Sequence, residues 1–213
     1  MNIGISLKLQ MASAGLAVAL VSGGCAMMTP KAEQHVAPPL GSTWVLARSD
    51  SGSYGSKKEQ VSNKRGERMW NGEHVITFES PGFAMLTHDN GRLVAFVSGN
   101  KTLVSFEPDL GFDRPLEVGH TSTTNYRMTI PGREQTVPLQ VTQKVEAYED
   151  VTVPAGTFKA FRVSWSESVG NENVYWISPE LGITVKSILV RTAKNSAGPG
   201  RRENELVSQN IQR

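Results

Sequence analysis

The sequence lacks any apolar run long enough to cross a membrane as a helix. Its longest run, residues 16–21 with weaker shoulders at 11–24, is about half of the roughly 20 residues that a bilayer requires. The sequence also lacks a strong charge of either sign. The formal net charge is +2, and it falls to +1 if residues 1–24, whose only charged residue is Lys8, are removed. Because nucleic-acid binders carry a marked positive excess, we expect no nucleic-acid partner.

Cysteine, histidine and catalytic motifs are also scarce. Cys25 is the only cysteine, so an internal disulfide is excluded. The four histidines show neither H-x-x-x-H spacing nor a neighbouring ligand cysteine, and there is no G-x-S-x-G motif. We therefore expect no metal and no cofactor, and we expect that the chain is not an enzyme.

Residues 1–24 have the three parts of a removable secretory signal: one cation, an apolar run and small residues at its end. The segment V-S-G-G-C that ends at Cys25 resembles the lipobox of bacterial lipoproteins, although Ser22 stands where that family prefers leucine. The resemblance implies a diacylglycerol on the Cys25 sulfur and an acylated N-terminus after cleavage. An ordinary signal peptide cut nearby is the alternative.

Stable membrane attachment requires two or more acyl chains, which a lipoprotein anchor supplies. Ala26 follows the cysteine, so the aspartate that resembles an inner-membrane retention signal is absent. We expect the membrane to be a partner through this anchor, at the periplasmic face of the outer membrane. Residues 25–40 contain Pro30, Pro38 and Pro39 and show no periodicity, which predicts a lipidated flexible tether.

Tight-turn dipeptides then recur every nine or ten residues, and they are the strongest fold signal. Asn-Gly supplies the positive φ angles of a type I′ hairpin turn. The segments between these turns are short and rich in β-branched and aromatic residues, which predicts an up-and-down meander. The turn dipeptides are Asn71-Gly72, Pro81-Gly82, Asn90-Gly91 and Gly99-Asn100.

The second half of the chain continues the β pattern after a Pro- and Gly-containing connection at residues 107–119. Apolar residues alternate with polar ones from 137 to 147, and further short strands are predicted at 161–165, 174–177, 183–190 and 205–211. No long capped helical pattern is present in the mature chain. We therefore predict a single antiparallel all-β domain at 41–213, closing into a barrel, half-barrel or two-sheet sandwich, with an N-terminal signal helix.

Two motifs resemble those of a widespread group of bacterial envelope proteins of unknown function. They are V-P-A-G-T-F at residues 153–158 and W-x-x-P-x-x-G-x-x-V-K at residues 176–186. Residues 114–120 resemble the P-L-x-V-G-x connector of that group, but the tryptophan that usually follows is missing from 121–124. The resemblance covers residues 41–191 and implies an all-β periplasmic domain, with no established substrate or catalytic set.

We interpret both motifs as folding features. Pro154 fixes φ and Gly156 can adopt a left-handed conformation, so this loop can turn one strand tightly into the next. Phe158 would fill the core, and Pro179 and Gly182 would form a similar turn on a neighbouring strand.

The aromatic side chains offer a candidate ligand surface, with Trp165 and Trp176 as the candidate ligand-facing residues. A half-open barrel could bind an amphiphile between its walls. The sequence favours a membrane-anchored, non-enzymatic envelope module that binds a lipid, glycan or protein partner. The alternative is a hydrolase of cell-wall or surface polysaccharide whose catalytic groups come from distant strands.

Overall fold

The computed structural model describes residues 30–212, and nearly all of their regular structure is β-strand. This confirms the all-β prediction; the predicted signal helix lies outside the described residues. Within 30–212 no helix has the length and apolar character needed to cross a membrane. Only Pro131–Arg133 in that range is helical, as a single 3-10 turn. The strands are β1 (Lys31–Ala32), β2 (Thr43–Gly52), β3 (Lys57–Trp70), β4 (Glu73–Ser80), β5 (Phe83–Thr87), β6 (Leu93–Ser98), β7 (Lys101–Leu110), β8 (Leu116–Glu117), β9 (Thr121–Ile130), β10 (Gln135–Val153), β11 (Gly156–Glu167), β12 (Asn171–Ser178), β13 (Ile183–Arg191) and β14 (Gly200–Asn210).

Twelve of these strands form one closed antiparallel barrel in the order β10-β11-β12-β13-β14-β2-β3-β4-β5-β6-β7-β9, with β9 pairing back onto β10. The first and last barrel strands, β2 and β14, are neighbours, from Thr43 opposite Asn210 to Gly52 opposite Gly200. The structure thus selects a barrel from the three arrangements that the sequence left open. Closure leaves no exposed sheet edge in the ring.

The four predicted turn dipeptides each connect two consecutive strands of the ring. Asn71-Gly72 joins β3 to β4, with φ angles of 51° and 86°, so both residues have the positive φ of a type I′ turn. The other three dipeptides join β4 to β5, β5 to β6 and β6 to β7. The meander prediction is therefore confirmed.

The long strand β10 shows the predicted alternation. Leu139, Val141 and Val145 are buried, whereas Gln140, Thr142 and Lys144 on the other face are exposed. Gln143 breaks the apolar series, yet it is only 2% exposed. Its amide is satisfied because Oε1 accepts from the backbone N–H of Asp113 (2.8 Å) and Nε2 donates to the Asp113 carbonyl (2.9 Å). A buried amide is stable in such a strand because both of its polar ends are bonded.

The inner face of the barrel is packed with apolar side chains. Phe161 and Val163 of β11, Val185 of β13 and Leu206 of β14 are fully buried. A second core lies on the other face of β4–β6 and includes Leu86 and its buried neighbours. The sheet curls around this second core, since Arg68 of β3 donates to the carbonyl of Gly99 in the β6–β7 turn (3.4 Å).

Residues 31–42, which we call the strap, differ from the predicted flexible tether. β1 pairs with β8, Ala32 accepts a hydrogen bond from Arg114 (3.2 Å), and Pro38 is fully buried. Gly41 donates to the carbonyl of Arg65 (3.0 Å), which ties the far end of the strap to β3. The prolines prevent the strap from joining the sheet as a central strand, but they do not prevent it from packing on the barrel. The strap therefore lies across one end of the barrel.

Consecutive connections of an antiparallel barrel alternate between its two ends. The strap end carries the turns β3–β4, β5–β6, β10–β11 and β12–β13 and the long β7–β9 connection. The opposite end carries the connections β2–β3 and β13–β14, among others.

Candidate functional site

The two candidate tryptophans lie on opposite faces of the sheet. Trp165 is 5% exposed and packs inside the barrel against Phe112 (ring centroids 5.2 Å apart) and Tyr175 (6.3 Å). Its indole Nε1 donates to Glu167 (2.9 Å), and burial raises the pKa of the neighbouring Tyr175 hydroxyl. Trp165 is thus a core residue, and the structure does not bring it together with Trp176.

Trp176 lies on the outer face of β12, because it follows the inward-facing Tyr175. Its Nε1 donates to Glu149 (2.9 Å), and the ammonium of Lys186 lies 5.7 Å from the ring centroid. This half-buried indole therefore borders the outer surface with paired charged groups beside it.

The strand register continues a row of outward side chains from Trp176 to Lys186, Glu205, Ala47 and Gln60. Directly paired residues share a face of the sheet. Along β2 the outward side chains are all small, namely Thr43, Val45, Ala47 and Ser49. The outer surface therefore forms a depression along β2, between the longer side chains of the neighbouring strands β3 and β14.

Two adjoining depressions follow this line, and together we call them the β2 groove. One has a volume of about 440 Å³ and the other about 520 Å³. The first is lined by β2, β3 and the β4–β5 turn; the second is lined by β14, β2 and β3. Residues that line the groove outside β2 include Lys58, Gln60, Ser62, Lys64, Glu79, Pro81, Glu203 and Glu205.

The charges along the groove are largely paired within the protein. Lys186 bonds to Glu205 (2.7 Å), and Arg201 bonds to Glu203 (2.7 Å from Nε). Lys57 donates to Glu59 (2.9 Å) and lowers the pKa of that carboxyl. The groove therefore presents amines, carboxylates, amides and hydroxyls in a neutral mixture rather than one strong charge.

A buried ion pair connects β2 and β14 next to the groove but on the inner face. Arg202 makes two hydrogen bonds of 2.7 Å to the Asp50 carboxylate, whose side chain is 0% exposed. These bonds hold the pKa of Asp50 below its ordinary value and raise that of Arg202. Burial and the charge of Arg202 lower the pKa of Arg48. The Tyr54 ring lies against Arg202, 4.6 Å from its guanidinium.

Two histidines meet carboxylates at the strap end. His88 lies 3.1 Å from Asp109, and His120 lies 3.0 Å from Asp113. Arg92 lies between the two pairs, because its Nη1 donates to the Asp109 carbonyl (3.4 Å) and its Nη2 is 3.6 Å from the Asp113 carboxylate. No sequence signal predicted this arrangement, because the residues come from the β5–β6 connection, the end of β7 and the β7–β9 connection. The hydrogen bonds of the described residues place no Ser, Thr or Cys side chain on either imidazole, so a nucleophile–base pair is not formed there.

The residues of the two sequence motifs lie at turns. Pro154 and Gly156 form the tip of the β10–β11 hairpin, which docks on β14 because Ala155 donates to the carbonyl of Leu206 (3.0 Å). Phe158 is partly buried and packs against the apolar cluster that includes Val185 and Leu206. Pro179 and Gly182 form the β12–β13 turn, which closes through the N–H of Gly182 and the Ser178 carbonyl (2.9 Å).

Cys25 and the predicted signal at 1–24 lie outside the described residues. Within residues 30–212, no three His, Cys, Asp or Glu side chains are grouped so that they could hold a metal ion. The described part of the chain thus offers the β2 groove as its candidate site for a ligand.

No protein-family model and no curated protein matches the chain. The fold is similar to that of a presumed lipoprotein from Parabacteroides distasonis, with 12% identity, 84% of this chain and 99% of that chain covered, and a TM-score of 0.42. It is similar to the hypothetical lipoprotein YmcC from Escherichia coli (14% identity; 81% and 86% covered; TM-score 0.44). It is also similar to a presumed exported protein with a YmcC-like fold from Bacteroides fragilis (12%; 84% and 99%; 0.43). We transfer no residue role from these proteins.

Proposed function

We propose that the chain is a lipid-anchored protein of the bacterial cell envelope whose barrel is a non-enzymatic binding module, with an envelope glycan bound along the β2 groove. The observation that carries the ligand site is the open line of small side chains on β2, flanked by hydrogen-bonding side chains on β3 and β14. An open groove accommodates a polymer that continues past both of its ends.

The chemistry of the groove suits a polyhydroxylated ligand. Lys58 and Gln60 can donate hydrogen bonds to sugar hydroxyls, and Glu203 and Glu205 can accept them. Trp176, three strands away from Ala47 along the same row, adds an aromatic edge with a polar nitrogen. The neutral mixture of charges favours hydrogen bonding over attraction to a polyanion.

Blocking the groove tests this proposal. We expect Ala47→Arg to fill the groove floor and to weaken binding to isolated peptidoglycan or lipopolysaccharide by about ten-fold, which equals about 1.4 kcal/mol. The assay is co-sedimentation of the purified full-length mature protein, with the thermal melting point measured to show that the variant is folded. Thr123→Arg is the matched control, because it adds the same charge at an exposed position of β9, six strands away from β2 in either direction around the ring. Equal binding by both variants would contradict the proposal.

The anchor has a separate test. We expect Cys25→Ala to move the protein from the membrane fraction to the soluble periplasmic fraction, because one removable thiol would carry the attachment. Unchanged membrane partitioning would refute lipidation at Cys25.

A further inference from the structure

The strap fixes the chain to the barrel a short distance after the proposed anchor. Lys31 pairs with Glu117 across the β1–β8 ladder, and its ammonium lies 2.8 Å from Glu33 and 3.7 Å from Glu117. Further along the strap, Gly91 of the β5–β6 turn lies so close to His35 that an added Cβ would come within 2.6 Å of its ring. With Pro38 fully buried, the strap is held at several points along its length.

Five residues lie between Cys25 and Lys31, so the six Cα–Cα steps of a fully extended chain span at most about 20 Å. A lipid-modified Cys25 lies at the bilayer surface, and the headgroup region on each side of the bilayer already occupies several Å of that distance. The barrel therefore cannot move far from the membrane while the strap is docked. Its strap end is the end that faces the lipid.

Exposed apolar side chains are concentrated at this end. Five large hydrophobic residues are exposed in residues 30–212, and three of them belong to the strap or to the residue directly after its pairing partner β8. They are Val36 (54% exposed), Leu40 (64%) and Val118 (40%). Isolated exposed apolar residues are ordinary on protein surfaces, but their concentration next to an anchor needs a reason.

The charges beside these residues point to an apolar contact. Lys31, Glu33 and Glu117 are paired with one another, so the segment offers no unopposed positive patch to acidic headgroups. Apolar side chains that reach the headgroup–acyl boundary contribute through burial, which depends little on salt.

We propose that the strap end of the barrel is a membrane-contact face, in which Leu40, Val118 and Val36 lie against the phospholipid surface next to the anchor. This inference rests on the proposed lipidation of Cys25. The contact fixes the orientation of the barrel, so that the opposite end, with the β2–β3 and β13–β14 connections, points into the periplasmic space.

The unique cysteine makes this testable with site-specific probes. Once Cys25 is lipidated, a single cysteine introduced elsewhere can be labelled alone. We place an environment-sensitive fluorophore on Val118→Cys and, as the matched control, on Leu103→Cys. Leu103 has nearly the same exposure, 37% against 40%, but lies near the start of β7, away from the strap. The full-length lipidated protein is reconstituted in vesicles of phosphatidylethanolamine and phosphatidylglycerol that carry a headgroup-attached quencher.

We expect the probe at 118 to be quenched several-fold more than the probe at 103, with little change between low and high salt. Equal quenching at the two positions would overturn the membrane-contact face. A loss of fluorescence at 118 that grows with protein density in vesicles that carry no quencher would also overturn the membrane-contact face. In that case a second copy of the chain, and not lipid, would cover the face. Failure of the anchor is a distinct result: wild-type protein would show an unmodified mass and would take up label at Cys25 itself.

Discussion

The buried pair between Asp50 and Arg202 supports a quantitative stability prediction. Removing one partner of a buried, hydrogen-bonded ion pair typically costs 3–5 kcal/mol, because the other charge is left without compensation. Arg202 is 25% exposed, so water can partly replace the lost carboxylate, whereas Asp50 is 0% exposed. We therefore expect about 3 kcal/mol of destabilisation for Asp50→Asn, toward the lower end of that range.

The expected loss is large enough to measure in two ways. In a chain of this size about 3 kcal/mol lowers the melting temperature by roughly 6–12 °C. In urea the midpoint should fall while the slope m stays constant, since the surface exposed on unfolding is unchanged. Asp150→Asn is the matched control: its pair with Lys159 has a similar length of 2.8 Å but both side chains are more than half exposed. Such an exposed pair contributes at most about 1 kcal/mol.

The pH dependence follows from the lowered pKa of Asp50. A carboxyl whose pKa is lower in the folded state stabilises the fold above its ordinary pKa of about 3.9, and this contribution is lost as the pH falls through the folded value. The difference in unfolding free energy between wild type and Asp50→Asn should be constant from pH 5 to pH 7 and shrink below about pH 4. The reasoning would be refuted if Asp50→Asn lowered the unfolding free energy no more than Asp150→Asn does. It would also be refuted if the free-energy difference from wild type stayed unchanged down to about pH 2.

Two further predictions concern the strap and the two cores. Gly91→Ala should speed tryptic cleavage after Lys31 relative to the control Gly82→Ala. Both glycines have positive φ (78° and 86°), but only at Gly91 would the new Cβ collide with His35 and loosen the strap. Equal cleavage rates in the two variants would contradict the strap contact. Leu206 and Leu86 are both 0% exposed and belong to separate apolar clusters. Replacing either one with Ala should lower the unfolding free energy by about 3 kcal/mol, and each variant should unfold in one cooperative urea transition. Two transitions would mean that the chain is not the predicted single domain.

The sequence predicted the parts of the fold that depend on local chemistry. Asn71-Gly72 has one favourable conformation, and the alternation from 137 to 147 sorts side chains between two faces whatever they contact. Ring closure could not be predicted in the same way, because the pairing of β2 with β14 joins residues 148 to 167 positions apart, from Gly52 with Gly200 to Thr43 with Asn210. The strap was missed because its docking depends on β8 and on Gly91, which the local pattern does not include.

In the candidate site, too, features set by the local pattern could be predicted and features set by distant neighbours could not. Tyr175 and Trp176 are neighbours on one strand, so the period of a strand alone places them on opposite faces, and the structure agrees. That Trp165 is a core residue, and that Ala47 and Ser49 form the floor of a groove, follows from neighbours on β3, β12 and β14. Small side chains in one strand carry no signal until the longer side chains beside them are known.

The neighbouring position of β2 and β14 has a consequence for how the molecule is made. β2 is the first strand of the ring to be synthesised, and its partner β14 is the last strand of the ring to be synthesised. A chain that stops before residue 200 exposes two unpaired edges, each able to pair with another molecule. Ring assembly must therefore follow synthesis of β14, and synthesis interrupted before it yields a species prone to aggregation rather than a smaller barrel.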